Sequence, residues 1–320
     1  MKGSYDVKVE NRRLQYKFRI NRNVTILRGD SATGKTTLID MIAAHQQNGD
    51  SSGVTISCKV PCVVLTSMNW KINLSQIKNS IVFIDEGDAF VKTKDFARAV
   101  QESSNYYVIA TRSSLFNLPY SVSEVYNIRN KSGNRYQGTK RTYSGFTQLY
   151  PEQFIDNGKP EKVVVEDSHS GFEFFKAVCD EKETLCETAA GNSNIYELVN
   201  KSSQDRILIV ADGAAFGPEM ERILSLNRIK KISIYLPESF EWIVLKSGVV
   251  NGSDIGKILK APSEYIESSQ YFTWEQFFTA LLVKSTANTY LAYQKHHLNE
   301  SYLQGREKKA ILDAMLIGDK

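Results

Sequence analysis

The sequence predicts an α/β protein, built as a mainly parallel sheet followed by a second α/β domain and a helical C-terminal segment. Three observations carry this expectation. Strand-sized apolar runs alternate with stretches of helical spacing along most of the chain. The run Val24–Arg28 enters a glycine loop that opens onto a helical segment, Thr36 to Ala44. Several later runs end on carboxylates, the end of a strand where parallel sheets gather their polar groups.

The loop reads Gly29-Asp30-Ser31-Ala32-Thr33-Gly34-Lys35-Thr36, followed by Thr37. It is a complete G-x-x-x-x-G-K-[ST] pattern in the strand–loop–helix context that gives the pattern meaning. Glycines let backbone N–H groups turn inward at a helix N-terminus, where they cradle phosphate oxygens. Lys35 is then expected to meet the β- and γ-phosphates of ATP, and the Thr36 hydroxyl to ligate Mg²⁺.

The elements around the loop follow in order. Tyr5 to Glu10 and Leu14 to Ile20 alternate in polarity about Asn11-Arg12-Arg13, the pattern of a hairpin. Further strands are expected at Val54–Cys58, Val63–Leu65, Ile81–Ile84, Tyr106–Ala110 and Val125–Ile128, with a helix at Asp95–Ser103. Ile81–Ile84 is wholly apolar, reads as a buried parallel strand, and runs into Asp85-Glu86. The spacing from the glycine loop suits a Walker B strand, with Asp85 on the metal and Glu86 polarising the attacking water. Tyr106–Ala110 ends in Thr111-Arg112, where Arg112 is a candidate γ-phosphate contact. No Leu-Ser-Gly-Gly-Gln signature occurs, so this is a minimal core and not a full ABC-type ATPase.

The chain has 320 residues, 42% hydrophobic and 24% charged, with a formal net charge of +4. These values fit a two-domain globular protein and do not announce a nucleic-acid binder. The apolar runs are too short to span a membrane, and the first residues lack a signal-peptide core, so a cytoplasmic protein is expected. Cys58, Cys62, Cys179 and Cys186 form a C-x₃-C and a C-x₆-C, neither a usual zinc pair. They read as buried, reduced thiols.

Pro151 to Pro160 marks the expected boundary, giving domains 1–150, 161–270 and 271–320. Beyond it, Lys162–Glu166, Arg206–Gly213 and Ile232–Leu236 read as strands and Phe172–Cys179 as a helix. Carboxylates at neighbouring parallel strand ends converge on one crevice, where repulsion favours a divalent cation. The segments Val163-Val164-Val165-Glu166-Asp167 and Ala211-Asp212-Gly213 resemble a Toprim domain, the metal-dependent fold of topoisomerases, primases and OLD-type nucleases. Ser239-Phe240-Glu241-Trp242 is similar to the Ser-Ile-Glu-Asn segment of the ATPase-linked members. With the N-terminal half, the whole resembles an OLD-like protein of bacterial anti-phage defence. The implied architecture is a minimal P-loop NTPase parallel sheet, then a Toprim-like Rossmannoid α/β domain and a helical C-terminal tail.

That resemblance implies Glu166, Asp212 and Glu241 as ligands of Mg²⁺ or Mn²⁺, with Glu166 catalytic and Glu238 and Asp167 in reserve. It also implies DNA or RNA as substrate and a homo-oligomer or a partner protein of a defence complex. One departure stands out: the family's Asp-x-Asp is here Asp212-Gly213-Ala214, so the second aspartate is missing. Either Glu241 or Glu238 compensates, or the fold no longer cuts and serves as an ATP-dependent switch or scaffold. A small-molecule phosphotransferase is a third possibility with no acceptor pocket to support it. In the C-terminal segment, Thr273 and Gln276 fit a capping box and the aromatic stripe reads as core. Helical spacing continues to Tyr290 and Leu291, and a last helix runs from Arg306 to Leu316. Lys295, His296-His297 and Arg306-Glu307-Lys308-Lys309 read as solvated charge.

Overall fold

The computed structural model describes residues 1–29, 33–130, 141–150, 153–154 and 158–316. Asp30, Ser31 and Ala32 of the glycine loop, and half of the expected boundary at Pro151 to Pro160, lie outside the described residues. The chain divides into two compact units: Met1–Tyr150 with Ser263–Phe272, and Pro151–Pro262 with Thr273–Lys320. The expected boundary near 150 coincides with this division, but 263–272 belongs with the first unit. Its backbone is bound there: Gly3 N–H donates to Ser263 O at 2.7 Å and Ser268 N–H to Met1 O at 2.9 Å.

In the first unit β1 (Tyr5–Glu10) and β2 (Leu14–Ile20) form the expected hairpin, and β3 (Val24–Arg28) leads to α1 (Lys35–Asn48). β4 (Thr55–Ser57), β5 (Cys62–Val64), α2 (Trp70–Gln76), β6 (Ile81–Ile84) and α3 (Lys94–Gln101) follow. β7 (Tyr106–Ala110), β8 (Val125–Asn130) and β9 (Thr142–Gln148) complete the unit. The strands make one sheet in the order β4-β1-β2-β9-β8-β3-β7-β6-β5. The run β8-β3-β7-β6-β5 is parallel and so is the β2–β9 pair, whereas β4-β1-β2 and β9-β8 pair antiparallel, so the sheet is mixed. The hairpin is part of the sheet and not an appendage.

Chain length dictates how that sheet bends. Its two edge strands, β4 and β5, are joined by the four residues Cys58–Pro61. Five peptide steps reach at most about 18 Å, whereas nine flat strands would hold the edges about 38 Å apart. The sheet therefore curls. Phe18 of β2 and Phe83 of β6 lie five strand intervals apart, yet their rings approach to 6.3 Å across the concave face. Phe18 also stacks on Phe146 of β9 at 4.0 Å. α1 lies in this trough, packing on β1, β4 and β5 and burying Leu38, Ile39, Met41 and Ile42. The other face is covered by Trp70, Phe90 and Phe96, the last edge-on to Tyr107.

The second unit holds β10 (Gln153–Phe154), β11 (Lys162–Val165), α4 (Ser170–Glu181), β12 (Leu185–Thr188), α5 (Asn192–Lys201) and β13 (Arg206–Val210). α6 (Met220–Ser225), β14 (Lys231–Tyr235), α7 (Phe240–Lys246), α8 (Ile255–Lys260), α9 (Trp274–Thr286) and α10 (Gly305–Leu316) follow. The sheet order is β10-β14-β13-β11-β12, parallel except at β10. The C-terminal segment is not a separate tail. Phe278, Leu282, Tyr302 and Ile311 enter the same core as Val163, Val165, Phe174 and Ile243.

The capping box forms, Gln276 Oε1 accepting from Thr273 N–H at 3.4 Å. The helix ends at Thr286, short of Tyr290: the Thr286 hydroxyl donates to Leu282 O at 2.8 Å and accepts from Tyr293 N–H at 3.0 Å, reversing the chain. Among the described residues no helix is long and apolar enough to cross a membrane. Of the four thiols only Cys179 is buried; Cys58, Cys62 and Cys186 are partly exposed.

Because Phe18 joins strands that are distant in sheet order, Phe18→Ala should open a cavity beneath α1. It is expected to lower unfolding free energy by about 3–5 kcal/mol, read from the midpoint of urea denaturation.

Candidate functional site

Two groups of polar side chains gather at strand ends, one in each unit. In the first unit they surround the N-terminus of α1. Gly34 caps this helix at φ 90°, and a Cβ there would lie 2.9 Å from the Tyr16 hydroxyl, so only glycine fits. Tyr16 in turn donates to Gly34 O at 3.2 Å, propping the loop from β2. Gly29, at φ 125°, lies against Asn127 in the middle of β8, a second place where a side chain would be strained. No acidic residue stands in the first turn of α1 itself.

Lys35 is almost fully buried and bends back over the loop, donating to Gly29 O at 2.7 Å and Thr33 Oγ1 at 3.2 Å. Its ammonium lies 4.0 Å from Glu86 Oε2. Thr36 Oγ1 donates to Asp85 Oδ1 at 3.4 Å, and the same oxygen accepts Glu86 N–H at 2.8 Å. Glu86 Oε1 is paired with the Arg112 guanidinium. The sheet order explains the convergence: β7 lies between β3 and β6, so Thr111-Arg112 emerges between the glycine loop and Asp85-Glu86. Thr111 is buried, its hydroxyl donating to Ser113 O at 2.9 Å, while Arg112, Thr36 and Thr37 are exposed. The fold thus brings together Gly29, Thr33, Gly34, Lys35, Thr36, Asp85, Glu86 and Arg112. Chemically this is a helix N-terminus faced by one buried cation and two carboxylates.

In the second unit, Glu166 follows β11 and Asp212 lies two residues beyond β13, on adjacent parallel strands. Asp212 N–H donates to Glu166 Oε2 at 3.3 Å. Glu241 stands in the first turn of α7, which Ser239 caps by accepting Trp242 N–H at 3.3 Å. It is fully buried. The Tyr293 hydroxyl donates to Glu241 Oε1 at 2.8 Å, and the Lys295 ammonium lies 3.1 Å from that oxygen and 2.9 Å from Glu275 Oε1.

The balance of charge here was not legible in the sequence. Lys295 is not solvated charge; it is the cation of an acidic centre made by Glu241, Glu275, Asp212 and Glu166. Burial pushes the Glu241 carboxyl up, but the Lys295 ammonium and the Tyr293 hydroxyl outweigh it and hold it below the usual glutamate range. Burial lowers Lys295, and Glu241, Glu275 and Asp212 reverse this, leaving it well above the ordinary lysine value. Asp212 is driven well up by burial and then by the neighbouring Glu166 charge. Burial likewise pushes Glu166 up to about 7, partly offset by the Asp212 N–H bond.

The reserve positions serve other ends. Asp167 accepts His169 N–H at 3.1 Å and Gly171 N–H at 2.9 Å, holding the start of α4. Glu238 is half-buried in the β14–α7 connection. Ala214, where the missing aspartate would stand, is buried. His296 and His297 are exposed, as read from their adjacency, with His296 edge-on to His169 at 4.6 Å. Tyr293 and Glu275 escaped the sequence reading because their roles depend on a chain reversal after α9 that no periodic pattern announces. Among the described residues, no three His, Cys, Asp or Glu side chains are grouped as metal donors.

Compared with models of known protein families and with curated proteins, the chain matches none.

The raised Glu166 gives a signed pH dependence. Folded protein holds this proton more tightly than unfolded chain, so the group's contribution is complete below about pH 4.5 and is lost as pH rises through about 7. In chelated buffer, raising pH from about 5 to about 8 should destabilise the wild type more than Glu166→Gln, by on the order of 2 kcal/mol. Parallel denaturation series at the two pH values measure the difference.

Proposed function

We propose that this chain binds and hydrolyses ATP in its first unit, and that the nucleotide state controls the acidic centre of the second. The observation that supports this best is the meeting of Lys35, Thr36, Asp85, Glu86 and Arg112 at the N-terminus of α1. Each group suits one part of an Mg·ATP complex. Loop N–H groups and Lys35 would take phosphate oxygens, Thr36 and Asp85 would share the Mg²⁺, and Glu86 would orient water. With Arg112 and Lys35 both near Glu86, the γ-phosphate would compete for the two cations and free the carboxylate to act on water. Arg112 would then face the phosphate.

For the second unit, the resemblance to Toprim nucleases supports an effector acting on DNA or RNA with Mg²⁺ or Mn²⁺ at Glu166, Asp212 and Glu241, in anti-phage defence. A specific observation favours the other reading, an ATP-dependent switch or scaffold whose Toprim-like fold holds or releases a partner protein. The Lys295 ammonium stands where a cation would be needed, and as the side chains lie the donor set does not fit a divalent ion. Incubation with DNA and RNA, with and without ATP and Mn²⁺, separates the two: cleavage supports the nuclease, and ATP turnover without cleavage supports the switch.

Lys35→Ala should abolish ATP hydrolysis while leaving the unfolding midpoint nearly unchanged. Unchanged turnover in the purified variant would remove the loop from the mechanism. Glu86→Gln keeps shape and hydrogen bonding but loses basicity, and is expected to retain ATP while hydrolysing it at least about a hundredfold more slowly. Filter-bound radiolabelled nucleotide and released phosphate report the two quantities.

A further inference from the structure

The short link that ties the edge strands of the first unit also brings two thiols together. From Ser57 to Cys62 exposure alternates residue by residue. Cys58, Val60 and Cys62 therefore turn toward one apolar cluster, while Lys59 and Pro61 face outward. In an extended strand, residues four apart would stand about 13 Å from each other. Backbone bends at Lys59 and Val60 instead fold the link back on itself. The Cys62 S–H donates to the Cys58 sulfur, which also accepts the backbone N–H groups of Val60 and Lys59. These donors favour the ionised sulfur over the neutral one. The Cys62 thiol is the largest influence and holds Cys58 down to about 6, against burial and the nearby Asp6 carboxylate of β1. Cys62, having given its hydrogen bond away, is driven well up and keeps its proton. Both thiols are partly exposed, so a small reagent reaches them. The other pair is arranged differently: Cys186 donates to Cys179 on α4, and the accepting sulfur there belongs to a buried residue.

We propose that Cys58 and Cys62 are a hydroperoxide-reactive dithiol, in which Cys58 is the attacking thiolate and Cys62 the thiol that resolves it. The Cys58 sulfur attacks one peroxide oxygen, the O–O bond breaks, and the departing hydroxide takes up a proton from water. Cys58 is then a sulfenic acid. The Cys62 sulfur next attacks the Cys58 sulfur, the S–O bond breaks, and the Cys62 proton leaves with that oxygen as water. Two thiols and one hydrogen peroxide thus give one disulfide and two waters, the peroxide taking the two electrons that the sulfurs lose. The product bond closes across the link on which the curl of the sheet depends. No residue of the glycine loop takes part, so the proposal stands apart from the nucleotide reading.

The full chain, reduced and then freed of reductant, is treated with hydrogen peroxide and digested with trypsin without further reduction. Cleavage after Lys59 separates the two cysteines, so only a disulfide keeps them in one fragment. The expected result is that joined fragment, lighter by two hydrogen atoms than its reduced halves and restored to them by dithiothreitol. In Cys62→Ser the reaction should stop at the sulfenic acid, captured on Cys58 as a dimedone adduct, and Cys58→Ser should yield neither adduct nor disulfide at Cys62. Iodoacetamide should alkylate Cys58 of the untreated wild type at least about tenfold faster than Cys62 at about pH 7. Its rate should fall away only below about pH 6. A disulfide confined to Cys179 and Cys186, or Cys58 reacting no faster than Cys62, overturns the proposal. The peptide map and the alkylation rates use wild-type protein, so a substitution that disturbs folding leaves both decisive.

Discussion

Four residues, Cys58–Pro61, constrain the first unit more than any hydrogen bond in it. They tie together the two outermost strands of a nine-stranded sheet, and a link so short leaves the sheet no choice but to bend. The trough that results is filled by α1, and the N-terminal turn of that helix carries Gly34, Lys35 and Thr36. Tyr16 reaches the loop because β2 lies on the near wall of the trough. The polar residues at the mouth are thus held by a concave, fully packed apolar surface, the kind of rigid support that keeps charged groups at fixed separation.

The two polar groups solve one electrostatic problem in opposite ways. At the end of α1, Lys35, Arg112 and the helix terminus face Asp85 and Glu86. At the ends of β11 and β13, carboxylates are in excess and one ammonium, Lys295, moderates them. Burial there disfavours the charged forms of Glu166 and Asp212, both of which are driven upward. Burial without a counter-charge is what makes a carboxylate choose neutrality.

Much of the first unit was legible because its strands are short apolar runs with polar punctuation. β1, β2, β3, β6 and β7 stand where alternation or continuous apolar residues put them. β9 was not visible: Thr142–Gln148 is largely polar, and it is a strand only because β2 and β8 offer it edges on both sides. β12 was missed for a similar reason, having four residues with alternate exposure on a sheet edge. α5 carried a usable signal in Ile195 and Val199, four residues apart and both buried. At the sites, the glycine motif named its own residues, and strand ends named Asp85, Glu166 and Asp212. Lys295 and Tyr293 could not be found this way, because a salt bridge to Glu241 across more than fifty residues leaves no local pattern.

The excursion of 263–272 into the first unit bears on how this protein could arise and be rearranged. The chain leaves the second unit after Pro262, contributes a segment elsewhere, and returns at Thr273 to lay down α9 and α10. Phe278, Leu282, Tyr302 and Ile311, part of the second unit's core, lie on the far side of that excursion. A gene fragment covering 151–262 therefore encodes the sheet and its first helices but lacks α9 and α10, and no single pair of cuts frees the second unit without taking a piece of the first. Recombination that exchanges the second unit would have to move both stretches together.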